Sequence, residues 1–479
     1  MRVRRPLVHP PLVTLEPYFR QVREKAGIAE GYAPDVYSDA EHARREAEFP
    51  HVLDRRSDAT AVPLVTLDPE GSKDLDQALH VEATADGFRV RYAIADVGAQ
   101  VAPGGPLDLD THKRVETIYC PDRRIGLHPS VMSEGFASLL PGQRTKAVLW
   151  TIEVSATGEI VSTEVYRAWV RSRRQFSFTD VATHPPKDAV DLVAALAGFG
   201  KARRDLARRR GGVTLPRPSQ EVEVHDGRLS LVFRAATGIE DDNAQVSLLT
   251  GEAAAAIMLK GGFGILRTMP PADDQSVQRL HHQAAALGVD WPQTMSYGDL
   301  LASLDPAAPR VAAFLSHATA LFRGAEWVPF DDSDPSLPRP QQIKHGALGV
   351  PYAHVTAPLR RLVDRFSTEA CLSIVANRAL PDWVHSAMPT IGAEMSRGNH
   401  LSRDVDKACI SAVECAVLQG HNGEVFDGVG LDDYTVQLAE PAIIARCGGA
   451  VQAGKAQRVR LVSTNCQDGP VFSAIKGDA

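Results

Sequence analysis

The chain has 479 residues, of which 44% are hydrophobic and 23% are charged, and its formal net charge is −7 at pH 7. This length exceeds what one hydrophobic core usually serves, so two or three globular domains are expected. The sequence has no stretch of roughly 20 uncharged apolar residues, which excludes a helical membrane span. The negative net charge does not exclude a polyanionic partner, because positive charge is clustered at residues 171–174 and 201–210 and the local field governs binding.

The N-terminus and the cysteines bear on location. The sequence "MRVRRPLVHPPL" is basic but continues into prolines rather than an apolar segment, which argues against secretion and favours a cytoplasmic location. The cysteines are scattered without CxxC pairs, so they indicate neither a zinc site nor a disulfide framework and are expected to be reduced and mostly buried. They are Cys120, Cys371, Cys409, Cys415, Cys447 and Cys466.

Residues 1–58 contain one helical stretch, "LEPYFRQVREKAG", with Leu15, Phe19 and Val22 at helical spacing before a glycine. We expect a small N-terminal domain here, either purely helical or of winged-helix type. From Pro63 the pattern changes to the alternation of strands in "PLVTLD", "QALHVEA" and "FRVRYAIADV", with a turn at Asp86 and Gly87. One face of the third strand is predicted to carry Phe88, Val90, Tyr92 and Ile94.

A second hairpin is predicted in "KAVLWTIEVSATGEIVSTEVYRAWVRS", with Thr157 and Gly158 in its turn. The segments "DAVDLVAALAGFGKARRDLARRR", "NAQVSLLTGEAAAAIMLKGG" and "DQSVQRLHHQAAALGV" follow with helical spacing, before a proline-rich loop at 331–342. Pro358 is expected to open a helix that runs toward Leu380, and one more helix is expected near Arg403 to Leu418.

The last sixty residues return to short strands with glycine turns, which suits an OB-type barrel. The fold class is therefore α+β, with an antiparallel sheet and surrounding helices. We expect three domains: the small N-terminal one at 1–58, a catalytic one at 59–418 and the barrel at 419–479.

The stretch "TLDPEGSKDLDQAL" places Asp68, Asp74 and Asp76 within nine residues, between two predicted strands. Carboxylates held this close repel one another, and burying them is costly unless a cation neutralises them. Oxygen ligands favour hard ions, and Mg²⁺ typically takes one or two protein carboxylates together with water and substrate phosphate. The pattern favours a magnesium site for a phosphate ester, with a solvated acidic loop as the alternative.

This stretch resembles the signature of the ribonuclease II and R family, the RNB exoribonucleases, which is close to T-I-D-x5-D-x-D-D-A. Further motifs in the family's order extend the resemblance over most of residues 60 to 385. They are "RYAIADVGAQVAPGGPLD", "ETIYCPDRRIGLHPSVMSEGFASLLPGQ", "ARRRGGVTL", "ILRTMPPAD" and "HGALGVPYAHVTAPLRRLVD".

The resemblance implies an RNB catalytic domain that hydrolyses single-stranded RNA processively from the 3′ end to nucleoside 5′-monophosphates, in RNA degradation or processing. It places Asp68, Asp74 and Asp76 on the family's acidic metal positions, for Mg²⁺ or Mn²⁺, and Asp76 is expected to orient the attacking water. Gln77 stands where the family has a further acid. Its carbonyl can still ligate a hard ion, so we expect weaker or altered metal dependence.

Other motif residues are implied to bind RNA. "TAPLRR" resembles the family's T-S-P-I-R-R. This implies that Arg360 binds the scissile phosphate and that the adjacent Arg361 also binds RNA. Tyr119 matches an aromatic that stacks on the terminal nucleotide, and Arg123 and Arg124 are candidates for backbone phosphate contacts. The C-terminal strands resemble the family's RNA-binding OB domain.

Two alternatives stay open at this point. One is a catalytically impaired homologue that binds RNA, and the other is a magnesium-dependent phosphatase of a small molecule. The expected partner is single-stranded RNA, the expected oligomeric state is a monomer, and no membrane partner is expected.

Overall fold

The computed structural model describes residues 7, 9–48, 56–465 and 469–475, so Cys466 lies outside the described residues. The helices of this part of the chain are α1 (Leu12–Lys25), α2 (Pro34–Glu48), α3 (Pro106–Arg114), α4 (Phe178–Thr183), α5 (Val190–Arg209), α6 (Gly238–Gly261), α7 (Asp274–Leu287), α8 (Tyr297–Ser303), α9 (Pro309–Ala318), α10 (Val363–Val375) and α11 (Asp382–Val417). Its strands are β1 (Ser57–Asp58), β2 (Thr66–Asp68), β3 (Gln77–Thr84), β4 (Gly87–Ala95), β5 (Ile118–Tyr119), β6 (Arg124–Ile125), β7 (Arg144–Ser155), β8 (Ile160–Arg171), β9 (Gln175–Ser177), β10 (Ser219–His225), β11 (Arg228–Arg234), β12 (Phe263–Thr268), β13 (Glu326–Asp331), β14 (Lys344–His345), β15 (Val350–Pro351), β16 (Val425–Gly430), β17 (Thr435–Leu438), β18 (Ile443–Gly448), β19 (Ala456–Asn465) and β20 (Gly469–Ala474).

The central sheet has the order β1-β8-β7-β4-β3. The two predicted hairpins form its antiparallel part, and the short β1 adds a parallel pairing with β8, so the sheet is mixed. Alternation along β4 is as predicted, because Val90, Tyr92 and Ile94 share the largest apolar cluster with residues of α5, α6 and α10. Ala93 lies on the opposite face, in a second cluster. Both faces of the sheet are therefore covered.

The turn between β7 and β8 contains Thr157 and Gly158, as predicted from the sequence. Gly158 has φ +89°, and a Cβ atom there would lie 2.8 Å from the carbonyl oxygen of Ala202 in α5. Only glycine suits both the left-handed backbone and the close approach of the helix. This turn thus fixes α5 against the end of the sheet.

The helix predicted from Pro358 begins instead at Val363, as α10. The preceding residues form a turn and an isolated antiparallel bridge between Glu116 and Arg361, in which Thr117 N–H donates to the Arg360 carbonyl at 2.9 Å and Leu362 N–H donates to the Val115 carbonyl at 2.9 Å. These long-range hydrogen bonds take the place of the first helical turn that was predicted to begin at Pro358.

The helix predicted near Arg403 to Leu418 is the end of α11, a single helix of 36 residues that contains Pro389. Its first half buries Ile391 and Met395 in a cluster with Trp327 of β13. This burial outweighs the cost of an internal proline, so the helix extends through a segment that was not predicted to be helical.

The N-terminal segment forms α1 and α2, and residues 9–48 contain no strand, so the helical alternative is correct and a winged helix is not formed there. The two helices have separate packing partners. Phe19 of α1 belongs to the apolar cluster that includes Phe426 of the barrel. Val36 of α2 belongs to a cluster with Leu107 and Leu359.

The C-terminal strands close into a five-stranded barrel of order β16-β17-β18-β20-β19, which confirms the predicted OB-type architecture. Helix α11 precedes the barrel in the chain and packs against its strands β19 and β20 as well as against β13. Among the described helices, none combines the length and apolar character that crossing a bilayer requires.

Candidate active site

The loop that joins β2 to β3 carries the three predicted acids. Asp68 is the last residue of β2, which pairs in parallel with β9, and Asp76 immediately precedes β3. Asp74 lies between them in sequence, and its negative charge raises the pKa of both other carboxyls in addition to the effect of their burial. The strand ends therefore bring three carboxylates into one electrostatic site.

Asp76 is the most enclosed of the three acids, at 3% exposed. Its Oδ1 atom accepts a hydrogen bond of 2.7 Å from the backbone N–H of Leu359. Its Oδ2 atom lies 3.4 Å from Nε of Arg360, an ion-pair distance, but accepts no hydrogen bond from the described residues. Burial raises the pKa of the Asp76 carboxyl to about 8, and the charge of Arg360 offsets only part of that increase.

Asp68 shows the same pattern. Burial raises the pKa of its carboxyl to about 6, and its buried Oδ2 atom also lacks a hydrogen-bond partner among the described residues. No three His, Cys, Asp or Glu side chains enclose a metal position anywhere in the described ranges. Mg²⁺ needs only one or two protein carboxylates when water and substrate phosphate fill its other positions. The unpartnered oxygens of Asp68 and Asp76 therefore fit a hard divalent ion.

Gln77 is the first residue of β3, and its side chain braces the acidic loop against the arginine segment. Its Nε2 atom donates a hydrogen bond of 2.5 Å to the carbonyl oxygen of Thr356. A carboxylate at this position could not donate that bond. With Gln77 in place of an acidic residue, the site therefore has one negative charge fewer and gains a hydrogen bond to the Thr356 carbonyl.

The two arginines of "TAPLRR" have different environments. The Arg360 side chain is 47% exposed, and its ion pair with Asp76 is the interaction described above. The Arg361 side chain is 18% exposed and forms an ion pair with the fully buried carboxylate of Asp364. Asp364 also accepts a hydrogen bond of 2.7 Å from Ala357 N–H. Arg360 is therefore available to a ligand, whereas Arg361 holds the segment in place.

The β5–β6 hairpin (residues 118–125) pairs Tyr119 with Arg124. Tyr119 is 51% exposed. Its hydroxyl is desolvated within the site, which raises the pKa of Tyr119 to about 12, with a further increase from Asp74. Arg124 forms ion pairs with Asp74 and Glu134. This hairpin brings an aromatic ring and a guanidinium to the acids.

The structure separates the two arginines of "DRR". Arg123 forms ion pairs with Glu30 at 2.8 Å and with Asp122 at 3.2 Å, on the side of the N-terminal segment. Only Arg124 contacts one of the three acids. The sequence named both residues as candidates for phosphate contacts, and β6 has only two residues, so no alternation of side chains could have separated them in advance.

His128, inside the same motif, has a packing role as expected. Its Nδ1 atom donates a hydrogen bond of 2.9 Å to the Leu359 carbonyl, and burial lowers the pKa of the imidazole to about 4. The neutral ring supports the backbone that donates to Asp76. Sequence reasoning missed the role of the Leu359 N–H itself, since a backbone donor leaves no signal in side-chain patterns.

The buried Asp76 carboxylate and the half-exposed Arg360 guanidinium together form an arrangement that is suited to binding a phosphate group. The model of the RNB domain matches residues 56–369 of the chain, and the model of the C-terminal S1 domain of RNase II-type exonucleases matches residues 424–471. The chain therefore belongs to the RNB-domain family of ribonucleases II and R.

Relatives are similar over much of the chain. Ribonuclease R of Escherichia coli is 25% identical over 413 residues, which cover 78% of this chain but 48% of that protein. The chain covers less than two thirds of the length of the other curated relatives as well.

Solved structures agree on the fold. RNase R of Mycoplasma genitalium, in complex with ribose-methylated single-stranded RNA, superposes with a TM-score of 0.82 at 17% identity, covering 96% of this chain and 78% of that one. Yeast Ssd1, a pseudonuclease, superposes with a TM-score of 0.66 at 14% identity, covering 87% and 52%. The fold is thus shared by a ribonuclease and a pseudonuclease.

Proposed function

We propose that this chain is a metal-dependent exoribonuclease that hydrolyses single-stranded RNA processively from the 3′ end to nucleoside 5′-monophosphates, in RNA degradation or processing. The observation that carries this proposal is the buried Asp76 carboxylate, whose Oδ2 atom lies 3.4 Å from Nε of Arg360 and accepts no hydrogen bond from the described residues. Membership of the RNB family and the RNA bound to the similar Mycoplasma ribonuclease support it.

The roles of the residues follow from their chemistry. Arg360 binds oxygens of the scissile phosphate, since a planar guanidinium can donate to two of them and offset charge that develops there. Asp76 accepts a hydrogen bond from the attacking water and orients it. Asp68 and Asp76 would hold Mg²⁺ or Mn²⁺, which would polarise the phosphate and lower the pKa of bound water.

The β5–β6 hairpin holds the 3′ end of the RNA. Tyr119 stacks on a base, which is worth about 1–3 kcal/mol and tolerates any base. Arg124 exchanges its ion pair with Asp74 for a backbone phosphate, which would leave the Asp74 carboxylate available to a cation. The barrel binds the strand farther from its end, as S1-type modules do.

A direct assay tests the proposal. The full chain is incubated with a 5′-labelled oligoribonucleotide and Mg²⁺, and the products are separated by length. We expect progressive shortening from the 3′ end, mononucleotide release and complete inhibition by EDTA. A DNA oligomer of the same sequence should bind but resist cleavage, because RNA enzymes commonly read the 2′-hydroxyl.

A second candidate is an RNA-binding protein without nuclease activity. Gln77 in place of an acid and the likeness to a pseudonuclease favour it. Binding without shortening would support this candidate, and the absence of both binding and shortening would support a small-molecule phosphatase.

Replacing Gln77 by aspartate should tighten metal binding. Gln77→Asp adds a negative charge but loses the donor to Thr356, so Gln77→Ala, which loses the donor alone, is its matched control. We expect Gln77→Asp to reach half-maximal activity at about tenfold lower Mg²⁺ or Mn²⁺ than Gln77→Ala, a difference of roughly 1.4 kcal/mol. Equal metal dependence in the two variants would remove position 77 from the metal site.

A further inference from the structure

The turn of the β5–β6 hairpin is anchored by a buried cation from the N-terminal helix. The Arg23 side chain of α1 is 1% exposed and donates to both carboxylate oxygens of Asp122, at 2.8 and 2.9 Å. It also donates to Glu30 at 2.6 Å. An arginine held this way fixes the turn relative to α1, because breaking a buried pair is costly.

A thiol pair lies at the same turn. Cys120 follows Tyr119 and packs against the apolar cluster that contains Cys409 of α11, where its thiol interacts with Cys409 and with Arg23. Cys409 is 1% exposed, whereas Cys120 is partly exposed. Both residues are free cysteines. No sequence pattern indicated that the two residues meet, since they are far apart in the chain and neither belongs to a CxxC motif.

The environment activates one thiol of the pair. The interactions with Cys409 and with Arg23 lower the pKa of the Cys120 thiol, although burial and Asp122 act in the opposite direction. The interaction with Cys120, burial and the charges of Asp122 and Asp406 raise the pKa of the Cys409 thiol. A partly exposed thiolate beside a buried thiol is the usual arrangement of a redox-sensitive cysteine and its resolving partner.

We propose that Cys120 and Cys409 are a peroxide-responsive switch, which closes to a disulfide and restrains the β5–β6 hairpin. The Cys120 thiolate attacks hydrogen peroxide and becomes a sulfenic acid, and the displaced oxygen leaves as water after it takes up a proton. Cys409 then attacks the sulfenic sulfur, and its proton leaves with the hydroxyl as a second water. The two sulfurs lose two electrons, the peroxide gains them, and an external thiol reverses the reaction.

The switch acts on the acids through the hairpin. The hairpin carries both Tyr119 and Arg124, and Arg124 would have to release Asp74 for that carboxylate to be available to a cation. A disulfide between Cys120 and Cys409 links this hairpin to α11 and opposes the displacement of Arg124 from Asp74. This consequence rests on the proposed ribonuclease function, and we expect RNA shortening to be at least fivefold slower in the oxidised protein and to recover with dithiothreitol.

The linkage itself is tested without any activity assay. The full chain is treated with hydrogen peroxide, free thiols are alkylated, and peptides are mapped by mass spectrometry under non-reducing conditions. We expect a loss of two free thiols per chain and one linked peptide pair, Cys120 with Cys409. Cys120→Ser and Cys409→Ser should each lose this link, whereas Cys415→Ser, which removes another buried cysteine of α11, should keep it. Retention of all thiols, or linkage of a different pair, overturns the switch.

The effect on the hairpin is tested with the same samples. Peroxide should slow RNA shortening in the wild type and in Cys415→Ser, but not in Cys120→Ser. If the disulfide forms but the rate of RNA shortening does not change, the proposed effect of the disulfide on the hairpin is wrong. Should the protein fail to shorten RNA even when reduced, the peptide map still decides whether the pair forms, so a wrong ribonuclease assignment is distinguishable from a wrong switch.

Discussion

Asp76→Asn is expected to slow RNA shortening by at least about 10²-fold while leaving the affinity for RNA within about threefold of wild type. An asparagine keeps an oxygen for the N–H of Leu359 but carries no charge to hold a cation or orient a water. The fold should survive, because burial already disfavours the ionised form of this carboxyl. Single-turnover rates and equilibrium binding of an oligoribonucleotide measure the two effects separately.

A matched control for this variant is Asp242→Asn, which neutralises another buried carboxylate, in α6, whose partner is Arg204. It should lower stability without a comparable loss of turnover. Unchanged turnover in Asp76→Asn would show that the assigned site is wrong, and a joint loss of turnover and RNA binding would point to damage of the whole groove.

Arg360→Ala should lower kcat by about 10²- to 10³-fold, because it removes a donor positioned where charge develops on the phosphate. Arg360→Lys should recover only part of that loss, since an ammonium cannot donate to two oxygens in the plane of a guanidinium. The side chain is half-exposed and has one carboxylate partner, so the melting temperature should change little in either variant.

Arg361→Ala is the informative comparison for Arg360→Ala. It leaves the buried Asp364 carboxylate without its guanidinium, so its main effect should be a loss of thermal stability. A scan of melting temperature beside kcat and KM distinguishes the two arginines. If Arg360→Ala lost stability and kept its kcat, the assignment of the phosphate to Arg360 would fail.

The sequence was sufficient to name the candidate acids of the site, because each is a single charged side chain within one short motif. Charge repulsion within "TLDPEGSKDLDQAL" predicted a metal ion, and in the structure Asp68 and Asp76 each have one buried carboxylate oxygen that accepts no hydrogen bond from the described residues. The strands around this loop were also predictable, because their alternation over eight or nine residues is a local property.

The remainder of the site depends on long-range contacts that local patterns do not contain. Pro358 looked like a helix start, but the Leu359 N–H is used by Asp76, far away in the sequence. A run of two arginines gave no sign that Arg124 contacts Asp74 while Arg123 faces Glu30. The first half of α11, which contains Pro389, was not predicted to be helical, because its burial against β13 is provided only by the assembled fold.

The shared cluster of α1 and the barrel has a consequence for synthesis on the ribosome. Phe19 is made early, but the apolar partners that bury it in α11 and the barrel are made about 400 residues later. Leu229 and Leu231 of the same cluster are made earlier, so the helix gains part of its apolar surroundings before the barrel exists. The cluster around Phe19 is therefore completed in stages, and its last apolar contacts form only when the barrel folds.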